Sequence, residues 1–145
     1  MEKVLCVCLG NISRSPIMQA VLQQALGDGF AVESAGVQEG LAGRPANYRS
    51  VACLKERGID LSGHVSRWIG DLDLSQYRWI VCVGHDEADK VRAGLGGGAA
   101  SVMVANAGGG GIPDPYELGR EGYRDCLALL DRVMPQVARE IRECG

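Results

Sequence analysis

Residues 7–16 read Val-Cys-Leu-Gly-Asn-Ile-Ser-Arg-Ser-Pro, directly after an apolar run and directly before a predicted helix. Gly10 and Asn11 allow a tight backbone turn in which successive N–H groups point inward, an arrangement that binds anions. Ser15 is predicted as the helix N-cap and Pro16 as the first helical residue, so that the positive end of the helix faces the same pocket. The segment therefore predicts a phosphate-binding loop after the first strand.

A cysteine and an arginine lie near the two ends of this loop. The planar guanidinium group of Arg14 can bind two phosphate oxygens at once. The same positive field predicts that Cys8 is ionised at neutral pH and acts as a nucleophile on the phosphorus of a bound monoester. For an isolated cysteine a structural role would be the better interpretation, but the surrounding loop favours the nucleophile.

Displacement of an alkoxide or phenolate requires a proton donor, and residues 111–116, Gly-Ile-Pro-Asp-Pro-Tyr, supply a candidate. Two prolines flank Asp114 and stiffen a segment that is predicted to be an exposed loop. Its carboxyl group could donate a proton and later activate water. Tyr116 is predicted to line the entrance and to stack on an aromatic leaving group. The four glycines at 108–111 predict a mobile approach to Asp114, with a tolerant surface loop as the favoured alternative to a lid.

With these two motifs the chain resembles the low molecular weight protein tyrosine phosphatases, which open with a Val-Cys-x-Gly-Asn-x-Cys-Arg-Ser-Pro loop and close with an Asp-Pro-Tyr acid loop. Further matching segments are Ser-Ala-Gly at 34–36, Gly-Arg-Pro at 43–45, Gly-Ile-Asp at 58–60 and His-Val-Ser-Arg at 64–67. The resemblance covers essentially the whole chain. It implies phosphotyrosine hydrolysis through a cysteinyl-phosphate, with Cys8 as nucleophile, Arg14 as phosphate clamp, and Asp114 as acid and base.

The resemblance also implies supporting roles around the loop. Ser15 is expected to supply a hydroxyl group that steadies the thiolate. Asn11, Ser34 and His64 are expected to form the hydrogen-bonded set that holds the loop in shape. The residues expected to contact substrate are Leu9, Gly10, Asn11, Ile12, Ser13, Ser15, Leu41 and Tyr116.

Among several departures from the family pattern, two concern the active-site pocket. Ser13 replaces a second loop cysteine, so the disulfide between neighbouring active-site cysteines cannot form and over-oxidation of Cys8 is expected to be easier. Leu41, or its neighbour Gly40, stands at the pocket wall where animal members carry an aromatic residue. In this respect the chain is more similar to bacterial members that act on tyrosine kinases of polysaccharide export. A phosphotyrosine protein, such as a bacterial tyrosine kinase, is therefore the expected partner.

Three other functions stay open. An arsenate reductase would use the same loop, but it needs a relay of further cysteines, and only Cys82 lies near the right region. In phosphoarginine phosphatases a threonine occupies the position of Ile12, whose bulkier apolar side chain favours a flat aromatic ester. A non-catalytic phosphate-binding module would need neither the thiolate nor the acid.

Length and composition set further expectations. A chain of 145 residues predicts a single domain, 1–145. Lys and Arg number 15 against 18 Asp and Glu, so neither nucleic acid nor an anionic membrane is an expected partner. No secretory leader or membrane-spanning run is recognised, which predicts a cytoplasmic protein. The six cysteines lack Cys-x-x-Cys spacing and histidine partners, so neither a metal nor a cofactor is expected.

Short apolar runs alternate with helical patterns along the chain. Buried parallel strands are predicted at 3–8, 31–35, 79–83 and 101–105. Four helices separate or follow these runs. The last helix carries a core stripe of Tyr123, Leu127, Leu130, Met134, Val137 and Ile141. This order implies an α/β fold, a three-layer sandwich with a four-stranded parallel sheet, which binds its ligand at the carboxyl ends of the strands.

Overall fold

The computed structural model of the protein describes residues 1–98 and 100–144, with only the backbone of Cys144. Strands and helices alternate along the chain. The elements are β1 (Glu2–Cys8), α1 (Arg14–Leu26), β2 (Phe30–Gly36), α2 (Tyr48–Lys55), β3 (Trp79–Cys82), α3 (His85–Leu95), β4 (Ser101–Val104) and α4 (Gly119–Cys144). Short 3-10 turns lie at Ile69–Asp71, Leu74–Gln76 and Ala107–Gly109.

The four strands form one parallel sheet in the order β2-β1-β3-β4. Each strand is within one residue of its predicted bounds at either end, which confirms the predicted four-stranded parallel sheet. β1 lies in the interior of the sheet, where both faces are covered, and this explains its unbroken apolar sequence. Cys8 is the last residue of β1 and pairs with Gly36, so it stands at the carboxyl edge of the sheet.

Helices cover both faces of the sheet. Val4, Cys6 and Cys8 belong to a core that includes residues of α1, α2 and α4. Leu5 and Val7 point to the other face, into a second core with α3 and the segment 68–77. The three-layer sandwich predicted from the sequence is therefore confirmed.

The start of α1 differs from the prediction. The helix begins at Arg14, and Ser13 occupies the N-cap without a capping hydrogen bond from its side chain. Ser15 is a buried residue inside the first turn, so its prediction as the N-cap was wrong. Its hydroxyl group contacts Cys8 and Asn11, and these tertiary contacts took precedence over the local capping preference.

α4 is the longest helix, with 26 residues. One face is buried against the core, and charged residues occupy the other, as an amphipathic helix at the surface requires. Within the two described ranges, no helix is both long and apolar enough to cross a lipid bilayer.

Candidate active site

Asn11 holds the loop after β1 in its turn. Its backbone φ is 60°, in the left-handed region, and its side chain is fully buried. Its Nδ2 donates to Ser15 Oγ (2.8 Å), and its Oδ1 accepts from the backbone N–H of Arg67 (2.9 Å). Its carbonyl oxygen lies 2.8 Å from His64 Nε2. Because a carbonyl can only accept, Nε2 of His64 carries the proton.

Two hydrogen-bond donors converge on the sulfur atom of Cys8. The backbone N–H of Asn11 donates to Sγ at 3.2 Å, and Ser15 Oγ lies 3.0 Å from it. Ser15 Oγ accepts a hydrogen bond from Asn11, so its hydroxyl proton remains available for donation. Two acceptors are in reach of this proton, Cys8 Sγ at 3.0 Å and the carbonyl oxygen of Ala35 at 3.5 Å, and the sulfur is the nearer. The hydroxyl group of Ser15 therefore donates to Cys8.

The end of β2 packs directly on the loop. A Cβ atom on Gly36 would lie 2.7 Å from the carbonyl oxygen of Leu9, which is too close for any side chain. The next two residues continue the contact, because Val37 N–H donates to Cys8 O (3.1 Å) and Gln38 N–H donates to Leu9 O (3.0 Å). The glycine of the Ser-Ala-Gly segment is thus required by this close backbone approach.

The loop forms the floor of a pocket of about 590 Å³. Within the part of the chain that the structure describes, the backbone N–H groups of Gly10, Ile12 and Ser13 have no hydrogen-bond acceptor. Such groups can bind the oxygen atoms of a phosphate. The pocket is lined by Cys8, Leu9, Gly10, Ile12, Ser13, Arg14, Leu41, Arg44, Pro45, Ala46, Asn47, Tyr48, Asp114 and Tyr116.

Arg14 connects this floor to the acid loop, residues 112–116. Its side chain is 11% exposed, and one Nη donates to the carbonyl oxygen of Ile112 (2.9 Å). The other Nη lies 3.8 Å from Oδ2 of Asp114, whose side chain is 49% exposed. Oδ1 of Asp114 accepts from the backbone N–H of Tyr116 (3.0 Å), a local turn that orients the carboxyl group. The acid loop therefore places its carboxylate over the pocket that contains the cysteine.

The glycines before the acid loop differ in how strongly the structure requires them. Gly110 and Gly111 both have φ of 87°, and a Cβ atom on Gly111 would lie 2.4 Å from the carbonyl oxygen of Val83. Gly108 has open space around it. The backbone N–H of Gly111 donates to Asn106 O (2.8 Å), and Asn106 Nδ2 donates back to Gly111 O (2.9 Å). The predicted mobility of this approach stays a prediction, but two of the glycines are required by conformation.

Some predicted residues occupy places other than those expected. The hydroxyl group of Ser34 donates to Gln19 Oε1 (2.6 Å) and not to the loop. Ser34 is connected to the loop only indirectly, through Arg67. Nη2 of Arg67 donates to the carbonyl oxygen of Ser34 (3.0 Å), and the backbone N–H of Arg67 donates to Asn11. The expected hydrogen-bonded set thus consists of Asn11, His64 and the backbone of Arg67. The side chain of Arg67 also forms an ion pair with Glu33 at 3.1 Å.

Two tyrosines near the pocket were missed. Tyr123 was predicted only as part of a core stripe, and it is indeed fully buried. Its hydroxyl group also lies 2.9 Å from Ser13 Oγ, so α4 contacts the loop. Tyr48 is 69% exposed and lines the same pocket as the predicted Tyr116, which is 61% exposed. The one available signal was Asn47, a good N-cap that places Tyr48 at the start of a helix.

Burial changes the protonation of several groups around the loop. Burial lowers the pKa of His64, and the charge of Arg67 acts in the same direction, whereas the hydrogen bond to Asn11 opposes them. The neutral imidazole is therefore favoured. Burial raises the pKa of Cys126 to about 12 despite the nearby charge of Arg14. This thiol, which belongs to the same core as Cys8, is thus protonated at neutral pH.

The arrangement of Cys8, Arg14 and Asp114 around one pocket agrees with the family to which comparisons with known proteins assign the chain. The model of the family described as low molecular weight phosphotyrosine protein phosphatase matches residues 3–144. The chain belongs to this family. As a member, it is a phosphoric monoester hydrolase of the protein-tyrosine-phosphatase class, which confirms the resemblance found in the sequence.

Relatives of the phosphatase come from bacteria and animals. A Ralstonia solanacearum protein named "Probable low molecular weight protein-tyrosine-phosphatase EpsP" is 32% identical over 145 residues, 99% of each chain. The human low molecular weight phosphotyrosine protein phosphatase is 39% identical over 87 residues, which are 57% of this chain and 54% of the human one. Vibrio vulnificus Wzb, solved in complex with benzylphosphonate, is 28% identical with a TM-score of 0.80, covering 96% of this chain and 98% of Wzb.

Proposed function

We propose that this phosphatase hydrolyses phosphotyrosine without a metal ion, through a cysteinyl-phosphate on Cys8. The proposal rests on one observation: Cys8, Arg14 and Asp114 line the same pocket. The donors on Sγ, from Asn11 and Ser15, stabilise negative charge on the sulfur. Arg14 and the unpaired loop N–H groups would neutralise the phosphate oxygens, which is the task that a metal ion performs in other phosphatases.

The chemistry has two steps. In the first, the Cys8 thiolate forms an S–P bond while the bond between phosphorus and the tyrosyl oxygen breaks, and Asp114 donates its proton to that oxygen. In the second, water attacks phosphorus and gives a proton to the Asp114 carboxylate. The S–P bond then breaks, which releases inorganic phosphate and restores the thiolate. Asp114 is half-exposed, so it can reach both the leaving group and water.

We further propose that the physiological substrate is a bacterial phosphotyrosine protein. The candidate is a tyrosine kinase of polysaccharide export. Leu41 supports it, because an aliphatic residue lines the wall where animal members have an aromatic one. The full-length match to a bacterial phosphatase also supports it, since the match to the human enzyme covers only 57% of the chain. Release of phosphate from an autophosphorylated kinase of this class, compared with an unrelated phosphotyrosine protein, tests this assignment.

The mechanism is tested by hydrolysis of p-nitrophenyl phosphate and of a phosphotyrosine peptide in the presence of EDTA. We expect turnover by the native protein and none by Cys8→Ser. Asp114→Asn should lower kcat on the peptide by about 10²–10⁴-fold. Its effect on p-nitrophenyl phosphate should be smaller, because nitrophenolate leaves without a proton. Asp28→Asn, an exposed carboxylate in the turn at the far end of α1, is the matched control.

The intermediate itself can be trapped. Acid quenching of Asp114→Asn during turnover should give a peptide that carries one phosphate on Cys8, detected by mass spectrometry. Turnover that disappears in EDTA, or that survives in Cys8→Ser, would contradict the mechanism. Binding of phosphate without turnover would favour a binding module. Preference for a phosphoarginine peptide would assign the enzyme to hydrolysis of that P–N bond.

A further inference from the structure

One side of the pocket entrance is basic in a protein that is acidic as a whole. From residue 40 to residue 55 there are two arginines and a lysine but no aspartate or glutamate, whereas the chain has 15 Lys and Arg against 18 Asp and Glu. Both arginines lie in residues 44–49, which we call the basic rim. Residues 44–48 line the pocket. Arg44 therefore lies at the pocket itself, and Arg49 adjoins the pocket by stacking on Tyr48.

The two arginines of the basic rim are held by their surroundings. The backbone N–H of Arg44 donates to Ser66 Oγ (2.9 Å), and its side chain is exposed. The guanidinium carbon of Arg49 lies 4.7 Å from the ring centroid of Tyr48 and 6.0 Å from that of Tyr123. In residues 1–98 and 100–144, no carboxylate oxygen lies within 4.0 Å of either guanidinium group.

The acid loop differs from the basic rim in charge. It carries Asp114, the only carboxylate among the described residues that line the pocket. Asp114 is already close to a cation, since Arg14 lies 3.8 Å away. Charge at the entrance is thus compensated on the side of the acid loop and uncompensated on the basic rim.

We infer that the basic rim binds acidic side chains next to the phosphotyrosine, so that the preferred substrates carry aspartate or glutamate beside it. This inference rests on the proposed phosphotyrosine hydrolysis. An extended peptide advances about 3.3–3.6 Å per residue, so side chains up to three residues away reach about 10 Å from the phosphotyrosine. The exposed ring of Tyr48, with Arg49 stacked on it, offers apolar contact to the same peptide. Charges at such a rim increase association rates and make them depend on salt.

The test measures kcat/KM for three phosphotyrosine peptides that differ only in their flanking residues, which are aspartate, alanine or lysine. We expect the acidic peptide to exceed the neutral one by about fivefold at about 0.1 M salt, as two exposed charge contacts allow. The lysine peptide should be the poorest. Raising the salt to about 1 M shortens the Debye length to about 3 Å and should bring the three values together.

Variants of the basic rim assign the preference to its arginines. In the double variant Arg44→Gln and Arg49→Gln, the ratio of kcat/KM for the acidic peptide to kcat/KM for the neutral peptide should fall to about 1. The double variant Arg44→Lys and Arg49→Lys should retain most of the native ratio, because lysine keeps the positive charge that attracts the acidic side chains. Arg139→Gln is the control and should keep the native ratio. Arg139 is an exposed arginine near the end of α4, one turn before Arg142, which donates to carbonyl oxygens at the end of α1 farthest from the loop.

The ratio is taken within each variant, so an overall change in activity does not affect it. Equal hydrolysis of all three peptides by the native enzyme would overturn the inference and leave the proposed function intact. So would a native ratio in the double glutamine variant. If the native enzyme hydrolysed none of the peptides, phosphotyrosine hydrolysis itself would fail, and the inference with it.

Discussion

The phosphate loop and the approach to the acid loop each contain one asparagine in the left-handed region, and the two are held very differently. Asn11, with φ of 60°, is fully buried and has hydrogen bonds from its side chain, its backbone N–H and its carbonyl. Asn106, with φ of 56°, is partly exposed. Its side chain donates one hydrogen bond, to Gly111, and its carbonyl oxygen accepts from the backbone N–H groups of Gly109 and Gly111. The loop of the proposed nucleophile is thus anchored through a buried side chain, whereas the segment before the proposed proton donor is anchored mainly through its backbone.

This difference corresponds to the two tasks. A nucleophile and a phosphate site need fixed geometry before substrate arrives, because misplacement by about 1 Å can lower the rate by about 100-fold. A proton donor must reach the leaving group and afterwards a water molecule. The half-exposed carboxylate of Asp114 is suited to that sequence. We therefore expect the same substitution to have unequal effects at the two asparagines.

The largest effect is expected for Asn11→Ala. It removes both side-chain hydrogen bonds and puts alanine into the left-handed region, so kcat/KM should fall by about 100-fold and the free energy of unfolding by about 3 kcal/mol. Asn106→Ala should lower kcat/KM only by about threefold, chiefly because alanine is disfavoured at a φ of 56°. The side-chain hydrogen bond that it also loses is partly exposed and contributes less. Steady-state kinetics and urea denaturation measure the two quantities.

Glycine at the same positions separates conformation from hydrogen bonding. Glycine accepts a positive φ, so Asn106→Gly should be close to native in kcat/KM. Asn11→Gly should stay nearly as impaired as the alanine variant, because Ser15 and the backbone of Arg67 still lose their partner. Equal losses at the two asparagines would mean that the segments are equally constrained.

A smaller effect is expected within the glycines before the acid loop. Gly111→Ala would place its Cβ atom against the carbonyl oxygen of Val83, with φ of 87°. We expect the free energy of unfolding to fall by about 2 kcal/mol. We also expect kcat/KM to fall by about tenfold, because the neighbouring Ile112 holds Arg14. Gly108→Ala meets open space and should leave activity unchanged, with stability equal to native or higher by about 0.5 kcal/mol. Equal stability and equal kcat/KM for the two variants would show that the close approach at Gly111 contributes nothing to the free energy of unfolding.

The smallest effect concerns pH. Burial lowers the pKa of His64, so the folded protein binds its proton less readily than the unfolded chain does. The stability contributed by the neutral ring is complete above the unfolded pKa of about 6.5 and is lost as the pH falls through the lower folded pKa. The free energy of unfolding should therefore decline between about pH 7.5 and pH 5, and His64→Gln should decline less steeply. Parallel curves for the two proteins would show that His64 does not titrate differently on folding.

The sequence predicted those parts of the molecule that local physical rules determine. β1 was found because a strand buried on both faces must be apolar. The loop was found because anion binding by backbone N–H groups needs Gly10 and Asn11 next to a helix start. Ser15 shows the limit of such rules, because a serine at a helix start fits both an N-cap and a buried donor, and only the folded chain decides between them.

Contacts between distant residues were not predictable. Ser13 and Tyr123 are 110 residues apart, and the apolar stripe of α4 gave no sign that the tyrosine hydroxyl meets the loop. The partner of Ser34 was predicted wrongly for a related reason: Gln19 is close to it only after α1 packs on β2. The exposed Tyr48 was missed because an aromatic residue at a helix start has no pattern that places it at a pocket.

The contact between Arg14 and Ile112 has a consequence for synthesis of the chain, because it joins residues that are 98 positions apart. A ribosome that adds about 5–20 residues per second needs about 5–20 seconds to make the intervening chain. During that time the cysteine loop exists without the segment that anchors its guanidinium group and carries the proposed acid. On the proposed mechanism, full phosphatase activity therefore begins only late in translation, after Asp114 has been added.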